Sequence, residues 1–175
     1  MITRIRKAVF VAISMLAISL TASLSGFAQN GPAEFSFRAV DGNTITSDSL
    51  RGEVVVLAFG ASWLPLSRNQ MEGVKKLADQ YAGRGLAVYW VSTDSDSPKS
   101  RNYASDDQLR ELARKYKVTV LRDPDGAVSK KLGVDQLPSV VIIDKQGNIS
   151  GAPVGGMDPK ANLATQLSAR LDKIL

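Results

Sequence analysis

Two of the side chains that most often carry chemistry are missing from this sequence. Its 175 residues include no cysteine and no histidine. The chain therefore has no thiolate nucleophile, no disulfide and no cysteine or histidine ligand for a metal. It also has no imidazole to act as a general base near neutral pH.

A serine at the predicted start of a helix is a candidate nucleophile. Ser67 would need a neighbouring base to accept its proton, and the nearest amines in the sequence, Lys75 and Lys76, follow two helical turns later. Serine is also a common residue at the N-cap or in the first turn of a helix. We favour this structural interpretation of Ser67.

Clustered aspartates raise the question of a metal site. The stretch 94–97, together with Asp106 and Asp107, is rich in carboxylates. It lacks the alternating ligands, central glycine and terminal glutamate of a calcium loop, so we predict a solvated loop. Residues 123–126 (DPDG) predict a turn before they predict a metal site. We expect no metal and no cofactor.

The hydrophobic pattern alternates between strands and helices and then adds a hairpin and a final helix. The run 53–59 is apolar after its first residue, which is typical of a central strand buried on both faces. The order predicts an α/β sandwich with a mixed sheet. Predicted strands cover 34–40, 44–46, 53–59, 86–91, 118–121, 139–143 and 148–152; predicted helices cover 66–81, 106–116 and 127–132, with a last helix starting at Asp158-Pro159.

One segment resembles a known active-site motif. Residues 59–71 read FGASWLPLSRNQM and resemble the segment F-W-A-S-W-C-P-P-C-R-x-E-M of the exported TlpA/ResA-like thioredoxins. Residues 41–55 resemble the N-terminal extension of that family, and 133–138 (GVDQLP) resemble the stretch that carries its cis-proline. The resemblance covers about residues 33–175. It implies a thioredoxin-like three-layer sandwich, with a mixed central sheet flanked by helices and an N-terminal β-hairpin extension.

The same resemblance shows what the chain has lost. Leu64 stands where the family has its attacking cysteine, and Ser67 stands where it has the resolving cysteine. Gln70 replaces the glutamate that assists proton transfer in the family. Ala58 occupies the position of a buried aspartate that other thioredoxins use. Because the residues for four chemical roles are absent together, we interpret the chain as a protein that has lost redox activity.

The residues around the lost cysteines suggest a binding face. Trp63, Leu64 and Leu66 form an apolar cluster in a predicted exposed loop, and the resemblance places Leu137 and Pro138, in the position of the family's cis-proline, beside it. The alternative for Pro138 is an ordinary trans proline that opens a strand. Thioredoxins receive an extended substrate peptide at this place, and pairing of such a peptide with the backbone before the cis-proline needs no cysteine. The alternative is that Leu64 and Leu66 turn inward and simply pack.

The N-terminal residues predict export. Residues 1–28 combine a basic start, an apolar run from Ala8 to about Leu24 and the small-x-small pattern Gly26-Phe27-Ala28, which is typical of a cleaved signal peptide preceding a domain over 29–175. An uncleaved membrane anchor is the alternative. Three of the basic residues and none of the acidic ones lie in this segment, so the net charge of +5 falls to about +2 without it. With no basic stripe carrying interleaved aromatics, we expect no nucleic-acid partner.

Three functions therefore stay open. The first is a redox-inactive, exported protein that binds a protein or an extended peptide at the degenerate site. The second, implied by the resemblance, is a thiol–disulfide oxidoreductase or a peroxiredoxin-type antioxidant protein, which we disfavour because both reactions need a cysteine thiolate. The third is a structural subunit, for example an accessory to an assembly factor for extracytoplasmic cytochromes.

Overall fold

The strands and helices closely follow the hydrophobic pattern. The computed structural model describes residues 31–156 and 162–175. The strands are β1 (Ser36–Ala39), β2 (Thr44–Thr46), β3 (Val54–Gly60), β4 (Leu86–Ser92), β5 (Val120–Arg122), β6 (Ser139–Ile143) and β7 (Val154–Gly155), and the helices are α1 (Pro65–Gln80), α2 (Asp106–Tyr116), α3 (Ala127–Lys131) and α4 (Leu163–Leu171), with a short 3₁₀ turn at Asp48–Leu50.

The seven strands form one mixed sheet in the order β2-β1-β5-β4-β3-β6-β7. Strands β3, β4 and β5 run parallel, while β6 is antiparallel to β3 and the β1–β2 hairpin is antiparallel to β5. Strand β3 lies between β4 and β6, and all seven of its residues are buried. This confirms the central strand predicted from the run of apolar residues.

Helices α1, α2 and α4 cover one face of the sheet. Alternate residues of β3, including Val54, Val56 and Ala58, point into this layer because side chains alternate between the two faces of a strand. The helices contribute Met71, Val74, Leu77, Leu109, Leu163, Ala164, Leu167 and Leu171.

The opposite face is covered by shorter segments. Val55, Leu57 and Phe59 of β3 pack there against the N-terminal hairpin, where Phe37 lies 6.3 Å from Phe59 between ring centroids. The 3₁₀ turn, with Leu50, and the end of α3, with Leu132, complete this layer. The predicted three-layer α/β sandwich with an N-terminal β-hairpin extension is therefore confirmed.

Several details differ from the sequence-based predictions. Helix α2 starts at the predicted residue, and its N-cap is Ser105, which forms a reciprocal capping box with Gln108. The strand that returns after β6 is Val154–Gly155 rather than 148–152, although Ile149 still makes one bridge to Ile143. Within the described residues, α4 begins at Leu163 and its N-cap Asn162 accepts a hydrogen bond from the amide of Ala164.

Two of the predictions fall on residues that the structure does not describe. The signal segment 1–28 lies outside the described residues, as does the predicted helix start at Asp158-Pro159. Across the part of the chain that is described, no helix is both long enough and apolar enough to span a membrane.

Candidate functional site

The connection between β3 and α1 is a tight turn that opens directly into the helix. The amide of Leu64 donates to the carbonyl of Ala61 at 3.0 Å, and the amide of Ser67 donates to the carbonyl of Leu64 at 3.1 Å. Leu64 is the N-cap in an extended conformation, and Pro65 is the first helical residue, where its fixed φ suits the helix. A leucine side chain cannot accept a hydrogen bond, so the usual N-cap interaction is absent at this helix end.

Gln70 joins three strands beneath this turn. Its side chain is fully buried, and its amide nitrogen donates to the carbonyls of Phe59 at 3.2 Å and Ser139 at 3.0 Å. Its amide oxygen accepts a hydrogen bond from the indole nitrogen of Trp90 at 2.9 Å. An ionised glutamate could accept from Trp90 but could not donate to either carbonyl. The residue in the position of the family's proton-transfer acid is therefore a neutral structural amide.

Ser67 is equally structural. Its side chain is fully buried in the first turn of α1, and its hydroxyl oxygen accepts a hydrogen bond from the amide of Ala61 at 3.2 Å. This confirms the interpretation of Ser67 as a first-turn residue. Lys75 forms an ion pair with Asp79 along the same helix, and Lys76 is exposed. Neither lysine bonds to the Ser67 hydroxyl, so the nucleophile hypothesis has no base to support it.

The glycine at the end of β3 makes room for these polar groups. A Cβ atom added to Gly60 would lie 2.7 Å from the Ser67 hydroxyl, 2.8 Å from the Gln70 amide oxygen and 3.0 Å from the Trp90 indole nitrogen. The first two distances are shorter than a Cβ tolerates and the third is tight, so a side chain at this position would displace the buried polar atoms of Ser67 and Gln70. Neither Gly60 nor Trp90 could be assigned this role from the sequence alone.

A buried aspartate holds the turn from its other side. Asp94 is fully buried, and its carboxylate accepts hydrogen bonds from the amide of Ser62 at 2.8 Å, the hydroxyl of Ser62 at 3.0 Å and the hydroxyl of Ser92 at 2.7 Å. The prediction of a solvated loop was therefore wrong for Asp94. The three donors from Ser62 and Ser92 replace the water that would otherwise solvate the carboxylate, so it can be buried.

Asp106 and Asp107, the other two aspartates of that prediction, form ion pairs with arginines. Asp106 binds the guanidinium of Arg38 through two hydrogen bonds of 2.6 and 3.1 Å, and it lies 3.3 Å from the buried guanidinium of Arg122. The hydrogen bonds from Arg38 lower the pKa of Asp106 below its ordinary value. Asp107 pairs with Arg110 on the helix surface. Asp106 therefore ties α2 to the sheet, and neither carboxylate converges with Asp94.

The turn and the cis-proline meet at one edge of the sheet. Phe59 of β3 is paired with Ser139 of β6, so the residues after Phe59 and those before Ser139 leave the sheet side by side. The peptide bond between Leu137 and Pro138 is cis, as the resemblance implied. The ring of Pro138 is buried, whereas the Leu137 side chain is 37% exposed.

The apolar residues of the turn are distributed between surface and interior. Trp63 is 62% exposed, while Leu64 and Leu66 are half-buried. Trp63 and Leu137 are two of only three large apolar side chains that are exposed in the described part of the chain, the third being Tyr103. The alternative, in which Leu64 and Leu66 turn inward and pack, holds only in part, because each leucine keeps some surface exposed. We call the surface formed by Trp63, Leu64, Leu66, Leu137 and Pro138 the degenerate face.

A cleft of about 270 Å³ adjoins this face at Leu137. It lies between the residue that follows β4, the turn before α3 together with the second half of that helix, and the segment that leads to the cis-proline. Its lining includes three charged side chains beside a larger apolar surface. The lining residues are Thr93, Asp125, Gly126, Ser129, Lys130, Val134, Asp135, Gln136 and Leu137.

Comparison with known proteins agrees with this architecture. The model of the AhpC/TSA family matches residues 29–152, which is well over half of the chain. The chain belongs to the AhpC/TSA family. The thioredoxin-like protein YneN of Bacillus subtilis is similar to this AhpC/TSA-family chain, with 30% identity over 129 residues that cover 73% of the chain and 71% of YneN.

Other relatives carry names from disulfide chemistry. The thiol:disulfide interchange protein DsbE of Pseudomonas aeruginosa is 30% identical over 116 residues, which cover 66% of this chain and 59% of that protein.

Among solved structures, the exposed lipoprotein thioredoxin Etrx1 of Streptococcus pneumoniae is 26% identical, with a TM-score of 0.60 over 78% of this chain and 99% of its own. A thioredoxin-like protein of Aeropyrum pernix, 19% identical with a TM-score of 0.64, covers 97% of this chain and 99% of its own and supports the fold alone.

Proposed function

We propose that this AhpC/TSA-family chain is an exported, redox-inactive thioredoxin-fold protein that binds a protein or an extended peptide at the degenerate face. The observation that carries the proposal is the exposure of Trp63 at 62%, on a turn held from both sides by buried hydrogen bonds. A large exposed aromatic side chain is costly to leave in water and is enriched where proteins meet.

Redox inactivity follows from the chemistry of the fold's usual reactions. Disulfide exchange needs a thiolate that attacks a disulfide sulfur, and the full sequence contains no cysteine. The positions of the lost groups are occupied by residues that make native contacts, with Ser67 and Gln70 both fully buried and hydrogen-bonded. Activity would require a thiol supplied by a partner.

The backbone beside the cis-proline can receive an extended segment. The peptide groups of Leu137 make no hydrogen bond with any other described residue, and its side chain is exposed. An amide and a carbonyl left open in the segment that leads into β6 can pair with the backbone of an extended peptide, which provides affinity without any reactive group. The neighbouring apolar side chains of the degenerate face would then contact the side chains of that strand.

Export is the second part of the proposal. Its support is the basic and apolar segment 1–28, which fits a signal peptide. The similarity to a protein described as an exposed lipoprotein is in keeping with this location. Retention of the segment as a membrane anchor would place the same domain on the same side of the membrane.

The test is a crosslinking pull-down of the full chain, tagged after Leu175 and recovered from its own extracytoplasmic extract. Leu64→Asp is the main variant, because aspartate is a favourable N-cap and should preserve the helix while it removes the apolar contact. Tyr103→Asp is the matched control, since Tyr103 is as exposed as Leu137 but lies outside the degenerate face.

The proposal expects one protein that is captured by the parent and by Tyr103→Asp and is lost in Leu64→Asp. Circular dichroism on each purified variant shows whether the fold is kept. Equal capture by Leu64→Asp, with its fold intact, would remove the degenerate face as the binding site.

A further inference from the structure

The cleft beside Leu137 contains charges that no neighbour neutralises. Asp125, Lys130 and Asp135 all line it, and none of them takes part in an ion pair with another described residue. Charged side chains on a surface are commonly solvated singly, but here three of them share a cleft of about 270 Å³ that adjoins the proposed binding face. The cleft is large enough for one long side chain.

All three charged side chains are exposed, and the two short carboxylates stay closer to the backbone than the lysine ammonium. Asp125 accepts a hydrogen bond from the amide of Ala127 at 3.2 Å through one oxygen, which leaves its other oxygen free. Asp135 follows Val134, whose amide is bonded to the carbonyl of Ser129 at 2.9 Å. An aspartate has two rotatable side-chain bonds, whereas Lys130 has a flexible four-carbon stem that can swing its ammonium into solvent. The charge that stays in the cleft is therefore negative.

The remaining walls suit the stem of a long cationic side chain. Val134 and Leu137 supply apolar surface, and arginine and lysine bury their methylene groups along such surface while their charge meets polar groups. The exposed side chain of Gln136 lies against Gly155 of β7, where an added Cβ would be 2.2 Å from its amide nitrogen. The cleft thus combines an aliphatic wall with a negative one.

From these features we propose that the cleft selects a basic side chain, arginine or lysine, in the extended segment that binds at Leu137. This inference rests on the proposed function, since it names the chemistry of the partner at the same face. Successive side chains of an extended strand point to opposite sides. A segment paired with the Leu137 backbone can therefore place an apolar side chain towards Trp63 and Leu64 and a neighbouring basic side chain into the cleft.

Disulfide tethering tests the inference with defined peptides. The parent chain has no cysteine, so Leu64→Cys introduces a single thiol at the degenerate face. This thiolate exchanges with peptide disulfides of 2-mercaptoethanol, forming a protein–peptide disulfide and releasing 2-mercaptoethanol. The probes are alanine-based peptides with one cysteine and one guest residue, placed one or two positions before or after it. The guest is arginine, norleucine or glutamate, and mass spectrometry measures the equilibrium fraction bound.

Gln80→Cys provides the matched control thiol. Gln80 is exposed at the last residue of α1, at the opposite end of a 16-residue helix from the degenerate face. If the exchange constants at Leu64→Cys are no larger than at Gln80→Cys for every peptide, the proposed function fails and this inference fails with it. A preference for Leu64→Cys without regard to the guest overturns the inference alone.

The expected result is a preference for arginine over norleucine of about two- to fivefold at one guest position, with glutamate weakest, as exposed charge pairs provide. Asp125→Asn with Asp135→Asn should abolish the preference, and Lys130→Gln should increase it. A preference for arginine that survives in the double asparagine variant would place the basic side chain elsewhere and overturn the assignment of the cleft.

Discussion

Restoring the family's acid at position 70 should make the stability of the protein depend strongly on pH. In Gln70→Glu the side chain keeps its size, but an ionised carboxylate would face the carbonyl oxygens of Phe59 and Ser139, which now accept hydrogen bonds at 3.2 and 3.0 Å. Burial and the absence of a second donor would raise the pKa of this carboxyl in the folded state, so the group would be protonated there. Even then it could donate to only one of the two carbonyls.

The loss of stability in Gln70→Glu is the sum of two costs, an unpaired carbonyl and the protonation of the glutamate. One buried carbonyl loses its partner, which costs about 1–3 kcal/mol at any pH. In the unfolded chain the glutamate has a pKa of about 4.3, so holding it protonated at pH 7 costs about 3.7 kcal/mol more. Because the folded pKa is raised above the unfolded one, the extra penalty is absent below about pH 4 and grows by about 1.4 kcal/mol per pH unit as the pH rises towards 7. At neutral pH the total of about 5–7 kcal/mol rivals the whole stability of a typical domain.

Urea denaturation followed by circular dichroism, at several values between pH 4 and 7, measures this slope. Gln166→Glu is the matched control, because it makes the same chemical change at an exposed position on α4. Its difference from the parent should stay within about 0.5 kcal/mol across the range. A Gln70→Glu penalty that is the same at pH 4 and pH 7 would show that the site admits an ionised carboxylate, and would refute the account of Gln70 as a neutral amide held by two carbonyls.

Three further substitutions probe the frame of the site. Gly60→Ala should destabilise the fold by about 1–3 kcal/mol in urea denaturation, because its Cβ would collide with the Ser67 and Gln70 side chains, and a stability equal to that of the parent would contradict the close approach. Leu64→Asp should change the free energy of unfolding by no more than about 1 kcal/mol, since the gain of an N-cap offsets the loss of a half-buried leucine; a much larger loss would mean that Leu64 belongs to the core. Asp106→Asn should lower the free energy of unfolding by about 1–3 kcal/mol at pH 7. Because the pKa of Asp106 is lowered in the folded state, the difference in stability from the parent should close as the pH falls below 3.8, the ordinary value. A difference that persists at lower pH would show that the loss does not come from the ion pair with Arg38.

The sequence was sufficient to predict the fold because the signals at different levels agreed. The run 54–59 is apolar without interruption, and only a strand covered on both faces hides such a run. The motif in 59–71 and the proline at 138 then placed the site at one edge of the sheet, where the pairing of β3 with β6 puts them. These features depend on local pattern and on segment order.

The polar groups that hold the site could not be foreseen in the same way. Asp94 binds Ser62 and Trp90 binds Gln70 across wide gaps in the sequence, and nothing in the neighbourhood of either residue indicates that partner. Gln70 did leave a signal, because it precedes Met71 on the helix face that also carries Val74 and Leu77. A polar residue on a buried face must find hydrogen-bond partners, so its structural role could have been inferred.

The exposed fractions of the apolar residues were the hardest to predict. Pattern alone placed Trp63, Leu64 and Leu66 together, but it could not separate the exposed tryptophan from the half-buried leucines, because the turn has no periodicity. The cleft beside Leu137 left no sequence signal either, since its walls come from three separate segments.

The central claim is that the protein keeps the frame of a thioredoxin site without its chemistry. Insulin-disulfide reduction by the purified full chain, with dithiothreitol as the reductant, tests it most directly. The account predicts precipitation of insulin at the rate of dithiothreitol alone, at every protein concentration used. A rate that rises in proportion to the amount of protein would contradict it, because a chain without a thiol would then be catalysing thiol–disulfide exchange.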